Sequence, residues 1–227
     1  MTKVSAVIVA AGGGRRFGSA KQFAFLQGKP VLDWSLETFN AHPGVDEIVL
    51  VLPELRPKKS FLAKYGKIVA VVQGGRQRQD SVRLGFRAID PRQAGIVLVH
   101  DGARPLAGRD LIERVIGQTR KKRAVVPGLL LEETIKEAEG GQVVRTLDRT
   151  RLFRVQTPQG FFYPLLERAL EKASADHFYG TDEAALVERL GERVFIIEGD
   201  PRNIKITVPP DLKIAEAFLA DENRNGI

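Results

Sequence analysis

The stretch VSAVIVAAGGGRR, residues 4–16, decides the fold. Residues 4–9 form an almost continuous apolar run of the kind found in strands that are buried on both faces. A turn with three glycines and two arginines follows directly. In open α/β sheets, ligands bind beyond the carboxyl ends of such strands. We therefore predict a buried parallel strand whose end carries a binding site.

Similar apolar runs alternate with amphipathic segments along most of the chain. This alternation predicts a mostly parallel sheet with right-handed crossovers. The predicted strands are 4–9, 47–52, 68–72, 96–99, 124–126 and 193–197. The predicted helices are 30–40, 58–64, 80–88, 109–121, 164–173, 182–190 and 210–220. Because the sequence shows no internal repeat or linker, we expect one domain over residues 1–227.

Residues 129–155 depart from this pattern. Two polar segments, 131–137 and 142–147, flank Gly140-Gly141, which is the signature of a β-hairpin. An isolated two-stranded hairpin is marginally stable in water, so we expect it to lie against the same segment of a second subunit. The segment therefore predicts a protruding β-arm and a homodimer.

Composition narrows the possible classes of protein. The 227 residues are 43% hydrophobic and 28% charged, as in ordinary globular proteins. With no cysteine and three scattered histidines, the chain offers no disulfide, thiolate or zinc-ligand pattern. No apolar run approaches the roughly 18 residues of a membrane span, and charges follow the first apolar run rather than precede it, unlike in a signal peptide. We expect a protein of the reducing cytoplasm.

The net charge of +7 permits nucleic acid, an anionic membrane or a phosphorylated metabolite as partner. The placement of the cations favours the metabolite, because several of them stand beside glycines at the ends of predicted strands. These are Arg15, Arg16, Lys21, Arg76, Arg78 and Arg104. No basic stretch is interleaved with aromatic residues, as single-strand nucleic-acid binders require, and neither G-x-S-x-G nor H-E-x-x-H occurs.

The first glycine-rich turn has the composition of a phosphate cradle. Glycines let backbone N–H groups crowd around an anion, and Arg16 and Lys21 add positive charge. The dinucleotide fingerprint fails because Phe17 replaces its third glycine, and the Walker A motif fails because Ser19 replaces its lysine. A different triphosphate cradle is one interpretation, and a tight turn with surface arginines is the other.

A second glycine cluster, GGRQRQDSV, covers residues 74–82. Gly75 would let a planar base approach the backbone closely, and Ser81 would offer it a hydroxyl. Asp80 and Ser81 are equally plausible as helix caps, so this cluster alone does not choose between binding and local structure.

The third cluster, HDGARP at residues 100–105, places a carboxylate where a buried strand ends. Mg²⁺ takes only one or two protein carboxylates and completes its shell with water and phosphate oxygens, so Asp101 is the predicted metal ligand. The alternatives are that Asp101 caps a helix or forms a surface ion pair with Arg104.

Eight motifs occur together in this chain and span nearly all of it. They are AAGxGxR (10–16), KQ (21–22), GGxxRxxSV (74–82), HDxARP (100–105), DR (148–149), QTPQ (156–159), TDEA (181–184) and NIKIT (203–207). Their identity and order resemble the 2-C-methyl-D-erythritol 4-phosphate cytidylyltransferase family. Phe17 in place of a common methionine, a shorter loop before Lys21, and Gly102 in place of alanine depart from the family pattern.

The resemblance implies a Rossmann-like, three-layer nucleotidyltransferase fold with a mostly parallel sheet and a protruding β-arm. It implies that CMP passes from CTP to 2-C-methyl-D-erythritol 4-phosphate with Mg²⁺ present, in nonmevalonate isoprenoid synthesis. The implied nucleotide contacts are Ala10, Ala11, Gly12, Gly14, Gly75, Ser81 and Asp101, and the implied catalytic cations are Arg16, Lys21 and Lys205, the last on a returning strand. The implied acceptor contacts are Thr134, which reaches across a dimer, Arg149, Thr157 and Thr181.

The expected chemistry needs no covalent enzyme intermediate. The acceptor phosphate is already anionic, so cations that reduce repulsion between two polyanions should supply most of the catalysis. A relative that uses ribitol 5-phosphate as acceptor, a protein that binds nucleotide without turnover, and a nucleic-acid-binding module remain as alternatives.

Overall fold

The computed structural model describes residues 2–14, 16–54 and 59–225. Arg15 of the first glycine-rich turn and Lys58 at the predicted start of a helix lie outside these ranges. The strands are β1 (Lys3–Val9), β2 (Phe25–Leu26), β3 (Lys29–Pro30), β4 (Glu47–Leu52), β5 (Ile68–Gln73), β6 (Ala94–Asp101), β7 (Ala124–Leu130), β8 (Lys136–Glu139), β9 (Gln142–Thr146), β10 (Phe153–Val155), β11 (Gln159–Phe162) and β12 (Phe195–Glu198). The helices are α1 (Val31–Ala41), α2 (Lys59–Leu62), α3 (Arg78–Arg87), α4 (Arg109–Lys122), α5 (Tyr163–Ala175), α6 (Glu183–Arg189) and α7 (Pro210–Asn225), with single 3₁₀ turns at Lys21–Phe23 and Arg149–Arg151.

Within the described ranges, eight strands form one sheet in the order β10-β7-β11-β6-β1-β4-β5, with β12 paired to β7. β1 is parallel to both β4 and β6, and β4 is parallel to β5. The mostly parallel sheet predicted from the strand–helix alternation is therefore confirmed. β11 differs, because it enters antiparallel between β6 and β7 and was not predicted.

Helices cover both faces of this sheet. The side chains of β1 alternate between them: Ala6 and Ile8 pack with α1 and α4, whereas Val7 packs with α3 and α5. A strand between two helical layers must be apolar on both sides, which explains the continuous run in the sequence. The predicted three-layer α/β fold is confirmed.

The predicted hairpin forms, with different strand limits. Gly140 and Gly141 have φ angles of +56° and +83°, which a two-residue hairpin turn requires and glycine adopts without strain. β8 begins at Lys136 rather than at residue 131, because the Leu131 N–H donates to the carbonyl of Leu152 and so continues the pairing of β7 with β10. All residues of β8 and β9 are exposed.

Candidate active site

A cavity of about 620 Å³ opens beyond the carboxyl ends of β1, β5 and β6. It brings together residues from all three predicted clusters and from the segment after β12. The residues that line it are Val9, Ala10, Ala11, Gly12, Gly13, Lys21, Gln22, Gly75, Arg76, Gln77, Arg78, Ser81, Asp101, Ala103 and Lys205. Eight of the predicted site residues are among them: Ala10, Ala11, Gly12, Lys21, Gly75, Ser81, Asp101 and Lys205.

The first glycine-rich turn is held in place by Gln22. Its Nε2 donates to the carbonyls of Ala10 at 2.8 Å and Gly12 at 3.1 Å, and the Gln22 side chain is buried. Sequence reasoning gave Gln22 no role beyond its place in a motif. Its two hydrogen bonds keep the turn that leaves β1 at the edge of the cavity.

Gly14 and Arg16 lie in the same turn but do not line the cavity. Gly14 has φ +66°, and a Cβ there would lie 1.7 Å from the carbonyl oxygen of Ser19. The residue is therefore required by the tight return of the chain toward Lys21. The Arg16 side chain is exposed to solvent.

The second glycine loop packs directly on the first. A Cβ at Gly74 would lie 2.2 Å from the Cβ of Ala11, so only glycine permits this approach. The Ser81 hydroxyl accepts from the Gly75 N–H at 3.1 Å and donates to the carbonyl of Gln77 at 3.2 Å. The helix cap considered for Asp80 is present, because its carboxylate closes a capping box with Gln77 at the start of α3.

Asp101 ends β6 and receives positive charge from several directions. Arg78 Nε donates to its Oδ1 at 2.8 Å, and Lys205 Nζ lies 2.7 Å from its Oδ2. Burial alone would raise the pKa of Asp101, but the charges of Arg78 and Lys205 outweigh it and hold that pKa well below its usual range. Asp101 is therefore ionised in this cavity.

Asp101 neither caps a helix nor forms a surface ion pair with Arg104. The cap is wrong, because α4 begins at Arg109 with Gly108 as its N-cap. A pair with Arg104 exists, with Nε 3.9 Å from Oδ2, but both side chains are nearly buried and the pair does not lie at the surface. Arg104 instead binds the chain after β12, with its Nη1 donating to the carbonyl of Asn203 at 2.8 Å.

Arg78 is a site residue for which sequence reasoning proposed no role. Its Nη1 donates to both carboxylate oxygens of Glu183, at 2.8 and 2.9 Å, while its Nε binds Asp101. Glu183 is buried, and burial raises its pKa although Arg78 acts in the opposite direction. The place of Arg78 beside glycines at a strand end was the sequence signal. Its partner lies 105 residues away, beyond the reach of spacing arguments.

Lys21, Arg76 and Lys205 are the other cations that line the cavity. Burial, together with the charges of Lys205 and Arg16, lowers the pKa of Lys21 to about 8 against the opposing charge of Asp101. Lys205 does not lie on a strand, which corrects the prediction of a returning strand. Its segment is held by the Ile206 N–H, which donates to the carbonyl of Ala103 at 2.8 Å, and by the buried Asn203.

Thr157 supports the end of β6 through hydrogen bonds of its side chain. Its buried hydroxyl accepts from the Asp101 N–H at 3.0 Å and lies 3.2 Å from Nδ1 of His100. Burial lowers the pKa of His100 to about 3, so the ring is neutral at pH 7. Because its Nε2 faces the Arg104 carbonyl at 3.3 Å, Nε2 carries the proton and Nδ1 accepts from Thr157.

The remaining predicted acceptor contacts lie outside the cavity lining. Thr134 precedes β8 and is exposed, and Thr181 is exposed just before α6. Arg149 is exposed and donates to the carbonyl of Glu132, across the base of the arm. Their contact with an acceptor stays a prediction.

No group of three or more histidine, aspartate or glutamate side chains gathers as a metal site in the ranges that the structure covers. The same ranges contain no helix with both the length and the apolar character needed to cross a bilayer.

A cavity that gathers cations and two glycine loops at the carboxyl edge of a three-layer α/β sheet places the chain among α/β proteins that bind phosphorylated ligands. Comparison with known proteins gives the family. The sequence profile of the IspD family, 2-C-methyl-D-erythritol 4-phosphate cytidylyltransferase, matches residues 4–221. The chain belongs to this family, as its eight motifs predicted.

Individual relatives agree with this assignment. The 2-C-methyl-D-erythritol 4-phosphate cytidylyltransferase of Symbiobacterium thermophilum is 43% identical, over 97% of this chain and 94% of the relative. Among solved structures, the 4-diphosphocytidyl-2C-methyl-D-erythritol synthase of Anaerococcus prevotii is 35% identical with a TM-score of 0.85, covering 96% of each chain. The cytidylyltransferase of Thermus thermophilus is 34% identical with a TM-score of 0.80, covering 94% of this chain and 98% of the other.

Proposed function

We propose that this protein transfers CMP from CTP to 2-C-methyl-D-erythritol 4-phosphate, giving 4-diphosphocytidyl-2-C-methyl-D-erythritol and pyrophosphate for isoprenoid synthesis. The observation that carries this proposal is the meeting of Lys21, Arg78 and Lys205 around Asp101 in one cavity, in a chain of this family. We propose one cytoplasmic domain, residues 1–227, as the unit that does this.

The reaction joins two polyanions. An oxygen of the acceptor phosphate attacks the α-phosphorus of CTP, and the bond from that phosphorus to the bridging oxygen breaks as pyrophosphate leaves. No base is needed, since the attacking oxygen is already anionic. The role of the protein is to align the two reactants and to neutralise charge that grows on the α-phosphate and on the departing pyrophosphate.

The nucleotide would lie across the two glycine loops. Backbone groups of Ala10, Ala11, Gly12 and Gly14, together with Arg16 and Lys21, face the triphosphate in this proposal. Gly75 and Ser81 would lie at the cytosine, and Asp101 at the ribose. Lys205 would approach the phosphates from the segment after β12.

Mg²⁺ is the proposed metal, with Asp101 as its protein ligand. One ionised carboxylate beside a cavity for a triphosphate fits an ion that draws most of its ligands from water and phosphate oxygens. Asp101 would hold the ion because its carboxylate is ionised and lines the cavity. When bound, the ion would neutralise phosphate charge.

The acceptor and the arm complete the proposal. Thr134 and Arg149 lie on or beside the exposed arm, away from the cavity of their own subunit, which supports delivery of the arm to a second copy of the chain. Thr157 and Thr181 belong to the acceptor side in the same proposal. The protein would act as a homodimer on two small phosphorylated substrates, without nucleic acid or membrane.

The decisive experiment is a pyrophosphate-release assay with CTP, Mg²⁺ and two acceptors in parallel. Release with 2-C-methyl-D-erythritol 4-phosphate and little with ribitol 5-phosphate is the expected result. Faster pyrophosphate release with ribitol 5-phosphate would show that the proposed acceptor is wrong. CTP binding without pyrophosphate release in the presence of either acceptor would contradict the proposal that the protein is an enzyme.

A further inference from the structure

Glu183 is a buried carboxylate that the mechanism above does not use. It is the first residue of α6 and is only 1% exposed. The N-cap of this helix is Asp182, whose carboxylate accepts from the Ala185 N–H at 3.0 Å, so capping does not require Glu183. Burial of a second carboxylate is costly unless it is paired.

Its pairing is with the guanidinium that binds Asp101. The Nη1 of Arg78 lies 2.8 and 2.9 Å from the two oxygens of Glu183, and its Nε lies 2.8 Å from Oδ1 of Asp101. A guanidinium is planar and rigid, so fixing Nη1 on one side fixes the direction in which Nε points on the other. Glu183 thereby sets where Arg78 can hold Asp101.

This matters because the two oxygens of Asp101 have different neighbours. With Oδ1 held by Arg78, Oδ2 faces Lys205 at 2.7 Å. Were Arg78 free to turn, the carboxylate could rotate and the lysine would lose its fixed partner. These four side chains form a continuous series of ion pairs, Glu183–Arg78–Asp101–Lys205. Glu183 lies outside the cavity lining and therefore influences, through this series, the positions of groups that line the cavity.

We propose that Glu183 is a positioning residue that acts through Arg78 to orient Asp101. The proposal rests on the cytidylyl transfer proposed above. The contact between Glu183 and Arg78 also joins the start of α6 to the second glycine loop. Thr181, just before α6, is predicted to meet the acceptor, and the glycine loop is predicted to meet the nucleotide. The ion-pair chain would then place both substrates relative to one carboxylate.

The test is a double-mutant cycle with Glu183→Gln, Arg78→Gln and the double variant. We expect Glu183→Gln to lower kcat by roughly tenfold or more, on the scale of residues that orient a primary ligand, with the KM for CTP changed by less than about threefold. In the Arg78→Gln background the same change should cost almost nothing more. Glu188→Gln, an exposed glutamate on the same helix, is the matched control.

Two further measurements keep the proposal falsifiable if Glu183→Gln folds poorly or turnover is absent. Arg78→Lys keeps the charge but lacks the rigid planar fork that fixes the directions of Nε and Nη1, and we expect a similar loss of kcat with a native melting profile. A crystal structure of Glu183→Gln should show Arg78 displaced from Oδ1 of Asp101. An unchanged contact near 2.8 Å, an unchanged kcat, or equal losses in both backgrounds would overturn the positioning role. An inactive wild-type protein would instead contradict the proposed function.

Discussion

Lys205 Nζ lies 2.7 Å from Oδ2 of Asp101, so a cation delivered by an irregular segment meets the carboxylate at the end of a central strand. The contact keeps the lysine in the cavity although Lys21 repels it. An incoming triphosphate offers the lysine a stronger anionic partner. In the proposed reaction, the pair would hold a cation at the place where negative charge develops.

We expect Lys205→Ala to lower kcat by roughly 100-fold, on the scale found for loss of a single preorganised donor. The variant should keep its fold, because the lysine side chain is about one-third exposed. Steady-state pyrophosphate release gives the measurement. Lys213→Ala, at an exposed position on α7, is the control and should behave as the wild type. Full turnover in Lys205→Ala would remove the lysine from the mechanism.

The pH dependence of the reaction should report Lys21. Its pKa near 8 means that the free enzyme loses this positive charge as the pH rises through 8. We therefore expect kcat/KM for CTP to be highest below about pH 8 and to fall above it, because the triphosphate then meets one cation fewer. Stopped assays between pH 6 and 10 measure the profile.

Lys21→Arg provides the control for this assignment. An arginine keeps its charge across the same range, so the decrease above pH 8 should disappear or move beyond pH 10, whatever the absolute activity of the variant. If kcat/KM decreased above pH 8 in the same way in the wild type and in Lys21→Arg, the titrating group would not be Lys21.

The fold was largely predictable, because burial on both faces leaves a clear pattern in the sequence. The predicted limits 4–9 and 47–52 match β1 and β4 closely, since each strand is almost continuously apolar. β11 was missed because it has four residues, includes Gly160 and runs directly into α5, so it carries no alternation of its own.

The site was predictable where a residue follows a strand end and not where a partner comes from a distant segment. Asp101 and Gly75 occupy such ends, and both line the cavity. The bond of Arg78 to Glu183 joins the first residues of α3 and α6, which no local spacing reveals. The predicted contact of Thr157 with the acceptor stays a prediction. The bonds of its hydroxyl to Asp101 and His100 were not foreseen, because they arise where the segment before β11 meets the end of β6.

This arrangement predicts a stability effect at Thr157. Thr157→Val keeps the shape but removes the hydroxyl, which leaves the Asp101 N–H and Nδ1 of His100 without that partner. We expect the free energy of unfolding to fall by about 1–3 kcal/mol, the usual cost of an unsatisfied buried polar group. Urea denaturation measures it, and Thr157→Ser should recover most of the loss. Native stability with a raised KM for the acceptor would favour the direct substrate contact.

The arm should determine the oligomeric state. Val143 and Val144 on β9 are 55% and 57% exposed. Because neighbouring strand residues point to opposite faces, each face of the hairpin presents one solvent-exposed valine. An exposed apolar hairpin is favoured only if a partner covers it. We expect the wild type to sediment as a dimer.

The double variant Val143→Asp/Val144→Asp should weaken that dimer at least tenfold, because dissociation no longer exposes apolar surface and association would bury two charges. Sedimentation velocity across a dilution series measures this change, with Gln142→Glu on the same exposed strand as the control. Activity should fall together with the dimer fraction, since Thr134 is predicted to act in the cavity of the other subunit. A wild-type protein that is monomeric at assay concentration and fully active would mean that each arm serves its own chain or that neither arm serves catalysis.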